Sequence, residues 1–128
     1  MKMKDVYKME NCIFCKIINK EIPANIIYED DTVLAFLDIS PIKCGHTLII
    51  PKKHYKDLDE INEETLNHIM KISKILKKRI EEKLNPSGLQ LVQNNGDLQE
   101  VKHYHLHLIP NYDKDVNLSI YEVFNLLK

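Results

Sequence analysis

The sequence contains no tryptophan, only three glycines and, among eighteen basic residues, a single arginine, Arg79. With one guanidinium, a site built on bidentate arginine clamps is excluded, and any bound phosphate must be held by lysine, histidine or backbone N–H groups. No charge of one sign prevails: eighteen basic residues face nineteen acidic ones, for a net charge of -1. Recognition of a nucleic acid polymer by bulk charge is therefore not expected. Long apolar runs are missing too. The longest aliphatic run, Leu48-Ile49-Ile50, falls far short of the roughly 20 residues that span a bilayer, so no membrane partner is expected. The opening Met1-Lys2-Met3-Lys4-Asp5 carries no apolar signal region, and the expected location is the cytoplasm. Three cysteines, two of them close together as Cys12 and Cys15, suit metal or thiol chemistry in a reducing compartment better than a disulfide framework. No repeat or Gly/Pro/Ser-rich linker divides the chain. Residues 1–128 are read as one domain, with 1–10 a loose N-terminal extension and 111–128 a short C-terminal tail.

What is present is periodic. Residues 12–20 read as a short helix with Ile13, Phe14, Ile17 and Ile18 on one face, stopped by Pro23. The runs 26–28 and 33–37 flank Glu29-Asp30-Asp31 and form a hairpin, and 46–50 make a further strand closed by Pro51. Asn62 caps a long helix with Glu63 and Glu64 in its first turn, apolar residues from Leu66 to Leu84 at helical spacing, and Asn85-Pro86 as its stop. Residues 89–92 form a strand, 94–97 a turn and 103–109 a last strand, after which Ser119 caps a short helix. One long helix, one or two short ones and about five strands joined mainly by hairpins give an α+β domain with an antiparallel sheet.

Half of the six histidines stand in the stretch His103-Tyr104-His105-Leu106-His107. Alternation along a strand puts all three imidazoles on one face, with Tyr104, Leu106 and Leu108 turned to a core. Crowded imidazoles repel when protonated, so packing alone is a poor reason for three of them. Metal ligation and catalysis both remain open on this pattern. Cys12 and Cys15, three residues apart on a helix, share a face. They fit a metal site, a redox pair or two buried thiols, and the βαβ setting of a thioredoxin-like redox motif is missing. Cys44 reads as packing and His68 as a surface residue.

The alternating stretch resembles the motif of the histidine triad (HIT) superfamily. The likeness extends, in the family's order, through Cys12-Ile13-Phe14-Cys15-Lys16-Ile17-Ile18, Glu21-Ile22-Pro23, Tyr28-Glu29-Asp30, Phe36-Leu37-Asp38-Ile39-Ser40-Pro41 and Gly45-His46-Thr47-Leu48-Ile49-Ile50-Pro51-Lys52-Lys53-His54. It implies a HIT-like fold and a nucleotidyl hydrolase or transferase cleaving AMP-type conjugates: phosphoramidates, dinucleoside polyphosphates or adenylated metabolites. By resemblance His105 is the nucleophile, forming a nucleotidyl-histidine. His107 and His46 face the phosphate and Gln99 the leaving group. Asp38 holds the ribose, Asn94 the phosphate, and Ile13, Phe14, Ile17, Phe36 and Ile39 a purine base. Imidazole suits the nucleophile's part because it is largely neutral near pH 7. Positioned donors are the main resource in such phosphoryl chemistry.

The resemblance also implies a structural zinc on Cys12, Cys15, His54 and His103, and no organic cofactor. A homodimer is implied as well, in keeping with the free edges of a five-stranded sheet and with Ile72 and Ile75 off the main helical stripe. Two features depart from the family. The segment from Asn94 to His103 is about two residues short, and Glu100 stands where Ser or Thr is common. The alternative that Glu100 favours is a zinc-stabilised nucleotide-binding interaction protein with little turnover. A third reading, a zinc hydrolase with the triad as ligands, requires an open metal position.

Overall fold

The computed structural model describes residues 11–128, so the N-terminal extension expected over 1–10 lies outside the described residues. In chain order the elements are α1 (Ile13–Ile18), β1 (Ile26–Glu29), β2 (Val33–Leu37), β3 (Thr47–Pro51), α2 (Glu63–Leu84), β4 (Gly88–Val92), a 3-10 turn (Gly96–Leu98), β5 (Leu106–Asn111) and α3 (Ile120–Leu127). The five strands form one antiparallel sheet in the order β1-β2-β3-β5-β4. The α+β class, the five-stranded antiparallel sheet and the long helix are as expected.

The central strands are continuous apolar runs because both faces of the sheet are covered. Val33, Ala35, Leu37, Ile49, Leu106 and Leu108 meet Ile69, Ile72, Leu76 and Ile80 of α2 and Val123 and Leu127 of α3. Leu34, Phe36, Leu48 and Ile50 point the other way, against Phe14, Cys15 and Ile17 of α1. Asn62 caps α2 by accepting from the Thr65 N–H, and Asn85 ends it in the left-handed conformation. Ser119 and Glu122 close a capping box on α3.

Four readings are corrected. The helix expected over 12–20 is only 13–18, because Cys12 is its N-cap and accepts the Cys15 N–H through Sγ. The strand expected from His103 starts at Leu106: the Tyr104 N–H goes to the Tyr55 carbonyl at 2.7 Å, outside the β3–β5 ladder. The alternation survives this, since Tyr104 still joins the α2-side core. On α2, Ile72 belongs to that core, while Met70 and Ile75 are exposed. His68 is not a free surface residue either, for its Nε2 meets Asp30 Oδ2 at 2.7 Å and ties α2 to the β1–β2 turn.

The lone arginine has a structural post. Arg79 Nη1 donates to the Ile27 carbonyl and to the Leu127 carbonyl, both at 2.8 Å, joining α2 to β1 and to the end of α3. Arg79→Met leaves both carbonyls without this donor and is expected to lower the unfolding free energy by about 1–3 kcal/mol in urea titrations. An unchanged denaturation midpoint contradicts this assignment.

Candidate active site

A cleft of about 330 Å³ opens on the α1 side of the sheet, where the ends of β2 and β4 flank β3 and β5. Asp38 and His46 line one side, Asn94 and Glu100 the other, and His105 and His107 the wall between. The backbone puts them there directly. Asp38 follows the last residue of β2, His46 precedes β3, Asn94 lies just beyond β4, and His107 sits in β5 opposite Leu48.

Main-chain groups fix the proton on each buried ring. His105 is 5% exposed and its Nδ1 lies 2.7 Å from the His103 carbonyl. A carbonyl only accepts, so Nδ1 carries the proton and Nε2 keeps its lone pair. His103, fully buried, places Nε2 2.8 Å from the Pro51 carbonyl, so its lone pair is on Nδ1. His46 runs the other way. The Ile42 N–H donates to its Nδ1 at 3.1 Å, leaving the proton on Nε2, which donates to His107 Nδ1 at 2.9 Å. His107 therefore carries its proton on Nε2. These tautomers are those of neutral rings, and for His46, His105 and His107 burial favours the neutral form. Burial lowers the His46 and His105 pKa values. Burial, with the His105 and His46 rings nearby, takes His107 from 6.5 to about 4.

The result is a lone pair on His105 beside an N–H on His107, with ring centroids 4.8 Å apart. Phe14 supports the first ring edge-on at 5.0 Å. Asp38 Oδ1 accepts the Ser40 N–H at 2.8 Å, and Oδ2 lies 3.7 Å from His46 Nε2. Asp38, His46 and His107 are close enough to suggest a metal, yet the His46 Nε2 that faces the group holds a proton. This cluster is a hydrogen-bond chain rather than a ligand set.

Beneath it lies a second constellation. His103 Nδ1 is 3.3 Å from Cys12 Sγ, 3.6 Å from Cys15 Sγ and 3.1 Å from His54 Nδ1, and Cys15 Sγ is 3.3 Å from His54 Nδ1. A tetrahedral site with bonds of 2.0–2.3 Å has edges of about 3.3–3.8 Å, and these separations of 3.1–3.6 Å, with all four donors within 4.8 Å of one another, are close to that geometry. The Cys15 thiol beside it holds the Cys12 thiol far below its ordinary value, and Cys12 in turn pushes Cys15 up. A thiolate with a backbone N–H on its sulfur is the state a metal binds.

The other expected contacts divide. Phe14, Ile17 and Phe36 are buried beneath the histidines, while Ile13 and Ile39 are exposed and do not line the cleft. Its apolar lining comes from Ile42, Val92, Leu98 and Ile109, which sequence reading missed. Strand alternation was a signal for Ile109 alone, two residues beyond His107. Gln99 is 5% exposed and also off the cleft: its Nε2 donates to the Lys56 carbonyl at 2.6 Å, anchoring the loop before His103.

A family profile described as the HIT domain matches residues 19–114. The chain belongs to the histidine triad family. A HIT-like protein of Methanocaldococcus jannaschii is 52% identical over 108 residues, 81% of each chain. The adenosine 5′-monophosphoramidase of Saccharomyces cerevisiae is 46% identical over 111 residues, covering 85% of this chain and 68% of that one. Among solved structures, a zinc-bound histidine triad family protein from Mycobacterium smegmatis superposes with a TM-score of 0.86 at 33% identity, covering 93% of this chain and 91% of the other. The triad that gives the family its name is His103, His105 and His107 here, and the first of the three faces the cysteines instead of the cleft.

Because His107 is held near 4, its ring is expected to stay neutral, with the proton on Nε2, down to about pH 5 in nitrogen-15 imidazole spectra. A His with a depressed folded pKa favours the native state fully above 6.5, and that contribution is lost as pH falls from 6.5 toward 4. A His107 signal titrating at 6.5, or a proton on Nδ1, contradicts the chain drawn from Ile42.

Proposed function

We propose that this HIT protein is a nucleotidyl hydrolase that cleaves AMP-type conjugates through a nucleotidyl-His105 intermediate. The observation that carries the reading is the 2.7 Å contact between His105 Nδ1 and the His103 carbonyl, which leaves Nε2 as a neutral nucleophile in the cleft. In the proposed reaction Nε2 attacks phosphorus and the bond to the leaving group breaks. For a phosphoramidate, the amine departs with a proton taken from water. The substituted ring is cationic, and its Nδ1–H to the carbonyl stabilises it. Water then attacks phosphorus, the monophosphate and a proton leave, and the neutral ring returns. His107 donates Nε2–H to a non-bridging oxygen and, with Asn94, acts on developing phosphate charge. His46 acts one step back: its own proton is committed to His107, so it is a positioning residue. Asp38 holds the ribose hydroxyls through the carboxylate left open by the Ser40 N–H. A purine is the proposed base. The adenosine monophosphoramidase relatives support the AMP moiety.

Zinc is the proposed occupant of the Cys12-Cys15-His54-His103 group, with a structural part, since four protein donors close the coordination shell. A homodimer in the cytoplasm completes the proposal. The reading as a nucleotide-binding protein with little turnover draws its support from Glu100, a carboxylate lining the cleft where substrate phosphate arrives.

Turnover of an adenosine 5′-phosphoramidate separates the two. Wild type is expected to release AMP, and His105→Ala to lose about a thousandfold or more in kcat while melting within a few degrees of wild type. Binding of AMP without turnover, or turnover that survives in His105→Ala, rejects the proposal. His54→Ala is expected to lower zinc content and melting temperature, with activity falling only indirectly, and His103→Ala to show both defects. Full zinc and normal melting in His54→Ala reject the metal assignment.

A further inference from the structure

Among the described residues the cleft is lined by two carboxylates, Asp38 and Glu100, and by no lysine or arginine. The chain's only arginine is bound to main-chain carbonyls on the opposite side of the sheet. Asp38 is partly engaged by the Ser40 N–H and lies 3.7 Å from His46. Glu100 has no such tie. It is exposed and joins none of the ion pairs found among the described residues. Lys56 and Lys102 line the neighbouring depression with Glu100 but not the cleft, and neither is ion-paired to Glu100; Lys102 Nζ donates to the Gly96 carbonyl at 2.5 Å. The two carboxylates also stand on different sides. Asp38 follows β2, and Glu100 lies in the segment joining β4 to β5, two strands away across β3. With the nucleoside at Asp38 and phosphorus at His105, the group that leaves is on the Glu100 side.

Polyphosphate and carboxylate leaving groups bring negative charge to that side, where an unpaired carboxylate repels them. A positively charged arm is attracted. We infer that Glu100 is a specificity residue for a cationic leaving group, and that the substrate class is a nucleoside 5′-phosphoramidate whose amine arm bears a further ammonium group. This rests on the hydrolase reading for the bond cleaved, but not for the charge preference.

Three adenosine 5′-phosphoramidates with arms of equal length, ending in ammonium, methyl or carboxylate, test it. In wild type, kcat/KM is expected to favour the ammonium arm over the methyl arm by about fivefold, the scale of one partly exposed charge pair, and to disfavour the carboxylate arm by a similar factor. Glu100→Gln keeps shape and exposure and is expected to bring the three within about twofold. In wild type, raising salt to 1 M is expected to shrink the spread, because screening acts on exposed charge. The same compounds are titrated by calorimetry into His105→Ala and into its double variant with Glu100→Gln, so the preference is read as dissociation constants without catalysis. Binding that follows charge and depends on Glu100, with no turnover by wild type, upholds the inference and rejects the hydrolase reading. His105-dependent turnover that ignores the arm, or a preference unchanged in Glu100→Gln, overturns the inference and leaves the hydrolase reading standing. Failure of all three compounds to bind rejects both.

Discussion

Three atoms of one buried residue hold the site together. His103 gives its Nε2–H to the Pro51 carbonyl at the end of β3, turns its Nδ1 lone pair to Cys12, Cys15 and His54, and offers its main-chain carbonyl to His105. The first bond sets which nitrogen of His103 is free. The second ties α1 and the loop bearing His54 to the segment before β5. The third decides that His105 presents Nε2 to the cleft. A neutral imidazole has one N–H and one lone pair, so each assignment forces the next. The site's chemistry thus descends from main-chain positions that the sheet supplies.

The same logic runs in the opposite sense on the far wall. There the chain starts from a donor, the Ile42 N–H, and ends with an N–H on His107. A lone pair and a donor N–H on neighbouring rings are what attack on a phosphate and stabilisation of its oxygens require. Burial keeps the rings neutral and so preserves both patterns. Phe14, packed on Phe36 within the apolar cluster, serves this end as well as stability, because its ring lies edge-on against His103 and His105.

Much of this was legible in the residues. Alternation separated Tyr104, Leu106 and Leu108 from the histidines, and that division holds although the strand begins only at Leu106. Asn62, with Glu63 and Glu64 after it, and Ser119 announced both helix starts through local capping that residue order encodes. The grouping of Cys12, Cys15, His54 and His103, expected from resemblance, is brought together in space. What stayed hidden has a common cause. The tautomers depend on the carbonyls of Pro51 and His103 and the N–H of Ile42, and a main-chain group looks the same under every side chain. The Gln99 side chain is bound to the Lys56 carbonyl, 43 residues away in sequence, a partner that no local pattern signals. Likewise His68 met Asp30 only because α2 crosses the β1–β2 turn.

In the proposed reaction a lone pair fixed on His105 Nε2 performs the displacement. The most direct measurement is rapid quenching of wild-type protein with an AMP conjugate labelled at phosphorus, followed by mass mapping of the peptide that spans residues 103–109 under alkaline conditions, where phosphohistidine survives. The label is expected on His105 during turnover and is expected to disappear as AMP is released. Label on His107, or turnover with no labelled histidine at any quench time, contradicts that reaction.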